Sequence, residues 1–92
     1  MLTLDFIKAK MEKLVDWALE GDSIVRDFMF QDSKMATEFI AKVNELAERM
    51  NHHPLILMDE NHIRLSLTTH SLGGLTEKDF AMAEEIDKIP LN

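Results

Sequence analysis

All four histidines of this 92-residue chain, His52, His53, His62 and His70, lie between positions 52 and 70. Imidazole has an unperturbed pKa of about 6.5, so at neutral pH one copy can give a proton while its neighbour takes one. A cluster of such rings points first to general acid–base chemistry. The chain contains no cysteine, which removes thiolate nucleophiles, disulfides and zinc sites built on thiolate. A metal would have to be held by His, Asp or Glu. No carboxylate stands at a regular ligand spacing from the His52-His53 pair, and two adjacent residues do not easily face one ion, so no metal site is expected.

The elements that must position these rings follow from hydrophobic periodicity. Met35, Ala36, Phe39, Ile40, Val43, Leu46, Ala47 and Met50 form a wide apolar stripe of helical period, with Asp32 as its cap. Pro54 disfavours helix at His53 and cannot donate in a central strand, so this helix must stop near Asn51 and a strand can begin after Pro54. His52 and His53 therefore occupy a junction. Leu55 to Met58 is a short apolar run, Asp59-Glu60-Asn61 is turn chemistry, and Ile63, Leu65, Leu67 and Thr69 alternate with Arg64, Ser66, Thr68 and His70.

Upstream, Leu4, Ile7, Met11 and Leu14 fit one face of a helix capped by Thr3. From Val15 the period changes to two, with Val15, Trp17 and Leu19 on one face. After Gly21-Asp22-Ser23 the run Ile24 to Phe30 completes a hairpin. Downstream, Gly73-Gly74 breaks the chain before Thr76-x-x-Asp79, a capping-box pattern that opens a helix carrying Phe80, Ala83, Ile86 and Ile89 and ending at Pro90. The expected fold is α+β in the order αββαββα: a four-stranded antiparallel sheet with three helices packed on one face. Residues 15 to 50 and 55 to 89 read as two ββα halves. No linker interrupts them, so residues 1–92 are expected to form one domain.

With Glu60 and Asn61 at the centre of a tight hairpin, facing residues have numbers summing to about 121, so Asn51 should face His70 and His53 should face Thr68. Facing Cβ atoms lie about 5 Å apart. His52, His53 and His70 could then line a pocket for one flat substrate at the open end of the hairpin, while His62 falls at the turn end as a solvated residue. The same positions also suit unremarked surface histidines at a helix end and a strand end, and spacing alone leaves both readings open.

Composition removes other classes. Ten Lys and Arg against seventeen Asp and Glu give a net charge of −7, so phosphate-backbone attraction is absent and no nucleic-acid partner is expected. Lys8, Lys10 and Lys13 make too small a basic group to reverse this. No apolar run approaches the roughly 20 residues of a membrane helix, and Met1 to Lys10 mixes polar with apolar residues, so no membrane partner and a cytoplasmic location are expected.

Glu48-x-x-x-His52-His53-Pro54, then His70 after fifteen intervening residues and Asp79 after eight more, resembles the active-site signature of the pterin-4a-carbinolamine dehydratases. The resemblance spans nearly the whole chain, because Trp17 before a turn and strand, Phe28 and Phe30 before the long helix, and Gly74-Leu75-Thr76-x-x-Asp79 also look like that family. Two positions depart from it. Glu60 stands where the family usually has an aromatic residue, and Ile56 where it commonly has Trp; both bear on substrate affinity more than on acid–base groups.

The resemblance implies a hydro-lyase, a 4a-hydroxytetrahydrobiopterin dehydratase, which removes water from a 4a-hydroxytetrahydropterin to give the quinonoid dihydropterin and so helps to recycle a tetrahydropterin. It requires no metal or cofactor. By the same analogy His52 and His70 are general acids on the two faces of the ring, and His53 binds the pterin and accepts its nitrogen proton. Asn51, Pro54, Thr69, Glu48 and Asp79 form the substrate-binding surround, with Glu48 orienting one imidazole and Thr69 supplying polar contacts. Glu48 also fits a solvated helix position, and Asp79 can reach back to cap the Thr76 backbone. Trp17 reads as core or interface. The family implies a homodimer or homotetramer, built through a helix and an edge strand. The alternative function is a non-enzymatic dimerisation or interaction module on the same scaffold, since animal members also serve as dimerisation cofactors of a transcription factor.

Overall fold

The computed structural model describes residues 2–91, so Met1 and Asn92, the outermost positions of the expected 1–92 domain, lie outside the described residues. Thr3 opens α1 (Leu4–Lys13) by accepting the Phe6 backbone N–H at 3.2 Å. Two short strands follow, β1 (Ala18–Glu20) and β2 (Ser23–Met29). Asp32 then caps α2 (Ser33–Met50), its carboxylate accepting from Met35 N at 2.9 Å. β3 (Leu55–Asp59) and β4 (His62–Leu67) form the second hairpin, a single 3-10 turn spans His70–Leu72, and α3 (Glu77–Asp87) closes the chain. The order is αββαββα, as the periodicity predicts, with the 3-10 turn added.

All strand pairs are antiparallel, in the spatial order β1-β2-β4-β3. The two hairpins therefore join through β2 and β4, leaving β1 and β3 as edges. The register makes residues alternate across the sheet. Ile24, Phe28, Ile63, Leu65 and Leu67 point to the helices and are buried against Ala36, Phe39, Val43, Leu46 and Ala47 of α2 and Phe80, Met82, Ala83 and Ile86 of α3. Phe39 packs between Phe28 and Phe30, with ring centroids 4.7 and 5.1 Å away. α1 contributes only the half-buried Ile7 and Met11.

The opposite face carries charge. Asp27 of β2 faces Arg64 of β4, which grips its two oxygens at 3.0 Å each, and His62 Nε2 lies 2.8 Å from Oδ1. The Arg64 guanidinium, more than the smaller contribution of His62, holds the Asp27 carboxyl below its ordinary value.

Two boundaries differ from the sequence expectation. The first strand does not start at Val15, which is 86% exposed; the strand is only Ala18–Glu20, and Leu19 is exposed as well. Leu14 ends α1 and accepts the Trp17 N–H at 3.0 Å, so residues 14–17 are spent turning the chain. Trp17 is buried from that turn, its indole N–H held by Asp87 at 2.9 Å. At the other boundary, β4 stops at Leu67 rather than running to His70. Thr69 and Gly74 exchange backbone hydrogen bonds of 3.0 and 3.3 Å, closing a loop that holds the 3-10 turn, and Gly73 at φ 73° ends that turn in the left-handed region.

The interior position of β4 sets an energetic expectation. Leu65→Ala, at a fully buried position, should lower the unfolding free energy by about 3 kcal/mol. Val15→Ala in the turn after α1, where the side chain is exposed, should cost under about 0.5 kcal/mol. Urea titration of both variants checks this, the midpoint moving with little change of slope.

Candidate active site

The end of α2 determines where His52 goes. Asn51 adopts φ 51° and ψ 44°, its N–H reaching Glu48 O at 3.3 Å, while His52 N–H reaches Ala47 O at 3.1 Å. This pair of bonds is the Schellman ending, which normally recruits Gly or Asn because the left-handed region costs other residues. It reverses the chain so that His52 falls back toward α3 instead of following the helix axis. Asn51 thus shapes the site through its backbone.

His52 Nε2 lies 2.5 Å from Asp79 Oδ1, with the ring 12% exposed and the carboxylate fully buried. The other oxygen, Asp79 Oδ2, accepts from Thr69 Oγ1 at 2.8 Å and from the Thr76 backbone N–H at 2.9 Å. Thr69 Oγ1 is also 2.8 Å from Thr76 Oγ1. Asp79 sits at the third position of α3, so the capping box expected from the sequence is present. Its carboxylate caps α3, as the T-x-x-D spacing predicts, and it also holds a histidine, a role the sequence reading gave to Glu48 and not to Asp79.

His53 is more loosely placed. Its Nε2 is 3.4 Å from Glu48 Oε1, and both side chains are largely exposed. His70 begins the exposed 3-10 turn, and its ring makes no hydrogen bond among the described residues. It directly follows Thr69, so Asp79 ties together the segments bearing His52 and His70. Pro54 is half-buried between the helix end and β3.

The hairpin arithmetic holds within the ladder, where every pair from Leu55↔Ser66 to Asp59↔His62 keeps the expected sum. It does not extend to Asn51 facing His70 or His53 facing Thr68. β3 starts only after Pro54, and β4 has ended before Thr68. His62, expected to be merely solvated, is paired with Asp27 at the turn end. There it lines a cleft of about 650 Å³ with Asp27, Phe28, Met29, Asp59, Glu60 and Asn61. That cleft includes none of His52, His53 or His70 in its lining. Among the described residues no group of three or more His, Asp or Glu could hold a metal ion.

The sequence reading did not assign Thr76 a place in the site beyond helix capping. Its hydroxyl extends the polar cluster to a fourth residue. Only the T-x-x-D spacing hinted at this, because nothing local relates position 52 to position 79.

The architecture and the carboxylate-anchored histidine define a small α+β protein with a largely buried histidine–carboxylate pair where α2, β4 and α3 meet. The model of the family described as Pterin 4 alpha carbinolamine dehydratase matches residues 1–89. A relative from Chloroflexus aurantiacus named for that dehydratase is 47% identical over 83 residues, covering 90% of this chain and 89% of its own. One from Sulfurisphaera tokodaii with the same naming is 39% identical over 88 residues, covering 96% and 95%. Among solved structures, a "transcriptional coactivator/pterin dehydratase" from Brucella melitensis superposes with a TM-score of 0.88 at 33% identity, covering 94% of each chain. This chain belongs to the pterin-4a-carbinolamine dehydratase family.

The helix ending is testable apart from chemistry. Asn51→Ala should cost about 1 kcal/mol, since alanine has no tolerance for φ near 51°. Asn51→Gly should leave stability equal or slightly higher. Thermal unfolding of the two variants against the parent measures the difference.

Proposed function

We propose that this chain, working as one domain, removes water from a 4a-hydroxytetrahydropterin to give the quinonoid dihydropterin, and so acts in tetrahydropterin recycling. The observation that carries the reading is His52 pinned against the buried Asp79, whose other oxygen takes the hydroxyl of Thr69, the residue before His70. Family membership supports a pterin substrate.

In the reaction the C4a–O bond breaks as an acid protonates the departing hydroxyl. The neighbouring ring nitrogen gives its electron pair to form the C=N bond, and a base takes the proton from that nitrogen. One proton is supplied and one is removed, so the enzyme's net charge is unchanged, and the spent acid and the protonated base are reset by proton exchange with solvent before the next turnover. His52 and His70 act as the acids on the two ring faces, and His53 binds the pterin and takes the nitrogen proton. Glu48 orients His53, and Asn51, Pro54, Thr69 and Asp79 complete the surround. Each positioned acid or base is worth about 10² to 10⁴ in rate.

Stopped-flow dehydration of synthetic 4a-hydroxytetrahydropterin tests this. His52→Ala and His70→Ala should each lower the rate by about 10² or more, with unchanged far-UV circular dichroism, and the parent should show an imidazole-like pH profile. Parent-like rates in both variants would refute the proposal.

A second reading, an interaction module, draws support from β3. This edge strand leaves a row of backbone groups unpaired and exposes Leu55 and Leu57, a surface suited to strand pairing. We place self-association there, as a homodimer or homotetramer. Light scattering should report a multiple of the monomer mass for the parent and a smaller assembly for Leu57→Lys; a monomeric parent would contradict it. If the protein served only as such a module, the histidine variants would leave partner binding and assembly untouched and the parent would not dehydrate the pterin.

A further inference from the structure

The contacts around Asp79 fix hydrogens as well as heavy atoms. Thr69 has one hydroxyl proton and gives it to Asp79 Oδ2 at 2.8 Å, so its 2.8 Å contact with Thr76 Oγ1 must be donated by Thr76. Oδ2 also takes the Thr76 backbone N–H at 2.9 Å, leaving Oδ1 for His52 Nε2. An ionised carboxylate only accepts, so the nitrogen facing it must carry a proton.

We propose that Asp79 is a positioning residue that locks His52 in the Nε2–H form, leaving Nδ1 as the single ring nitrogen that exchanges a proton with the substrate. This deepens the dehydratase reading and rests on it. As an acid, His52 enters the step as the imidazolium, with Nε2–H on Asp79 and Nδ1–H toward the departing hydroxyl. Its Nδ1–H bond breaks as an O–H bond forms on the departing hydroxyl, and the C4a–O bond breaks as the pterin ring nitrogen's electron pair forms C=N. Water leaves, and the neutral Nε2–H ring remains, to be reprotonated at Nδ1 from solvent. Neither the ring nor Asp79 has to move for the next turnover.

The geometry predicts the opposite state for one isosteric variant. In Asp79→Asn the two donors at Oδ2, the Thr69 hydroxyl and the Thr76 N–H, would hold the amide carbonyl. The NH₂ group would then occupy the Oδ1 position and face Nε2. A donor there requires Nε2 to accept, so the neutral ring must carry its proton on Nδ1, and the imidazolium would set donor against donor. The proton-donating form is thereby lost, as when an asparagine replaces the aspartate behind a catalytic histidine.

The test is long-range ¹H–¹⁵N correlation on ¹⁵N-histidine-labelled protein at alkaline pH, where the imidazoles are neutral, with His52 assigned by its missing signals in His52→Gln. The parent should give the Nε2–H pattern at His52. Asp79→Asn should give the Nδ1–H pattern and lose about 10² to 10⁴ in kcat, with His62 unaffected. Thr69→Val keeps the carboxylate and the Thr76 N–H, and should keep the Nε2–H pattern. An Nδ1–H pattern in the parent, or an Nε2–H pattern persisting in Asp79→Asn, would overturn the proposal. If Asp79→Asn does not fold, the parent and Thr69→Val spectra decide alone. A parent with the expected pattern but no dehydration would instead remove the dehydratase reading and leave the hydrogen assignment standing.

Discussion

A fully buried carboxylate must be satisfied, and Asp79 is the one the site is built around. Stripping an ionised carboxylate of water costs several kcal/mol unless donors replace the lost hydration. Here three donors do so, and they come from three separate parts of the chain: His52 past the end of α2, Thr69 past the end of β4, and the Thr76 backbone at the start of α3. Hydrogen bonds to a charged acceptor are worth roughly 1.5 to 3 kcal/mol each. The opening of α3 adds to this, because its N-terminus favours negative charge. One side chain thus welds the loop ends that a pterin-binding site would need held still.

The secondary structure supplies those ends at the right places through departures from regularity. α2 does not fray at Met50; it closes through the left-handed Asn51, which turns His52 back across the helix end. β4 does not continue past Leu67, because the loop from Thr69 to Gly74 closes on itself and lifts His70 onto an exposed turn. Regular continuation of either element would separate His52 from Thr69 and leave Asp79 without two of its donors. Pro54 enforces the first departure, since it prevents helix at the residue before it.

What could be read in advance follows the range of the interactions. The α2 stripe, the β3–β4 register and the Thr76-Asp79 cap are local patterns, and all three appear as expected. The strand assigned from Val15 failed because alternation at 15, 17 and 19 is also compatible with a turn followed by an anchored Trp17, and the anchor, Asp87, lies seventy residues away. The site divides in the same manner. The histidines and Asp79 were visible as a pattern, but the convergence of His52, Thr69 and Asp79 depends on how the two hairpins join through β2 and β4. No periodicity encodes that packing. For the same reason the predicted facing of Asn51 and His70 went too far, extending a ladder beyond the points where Pro54 and the Thr69 loop end it.

Among the described residues three histidines face a carboxylate, and comparing them shows why the pairing itself does not define the site. His53 and Glu48 are 3.4 Å apart with side chains 54% and 79% exposed, while His62 and Asp27 are 2.8 Å apart and 41% and 44% exposed. In such surroundings water and salt screen the attraction to about 1 kcal/mol or less. Asp27, moreover, is held chiefly by Arg64, so its hold on His62 is secondary. Only His52 meets a carboxylate that has no solvent to turn to. There the dielectric is lower and each contact correspondingly stronger, and the acceptor's geometry is fixed by its other two donors. Burial of the partner, more than proximity of opposite charges, gives His52 a single orientation, and a single orientation is what directional proton transfer requires.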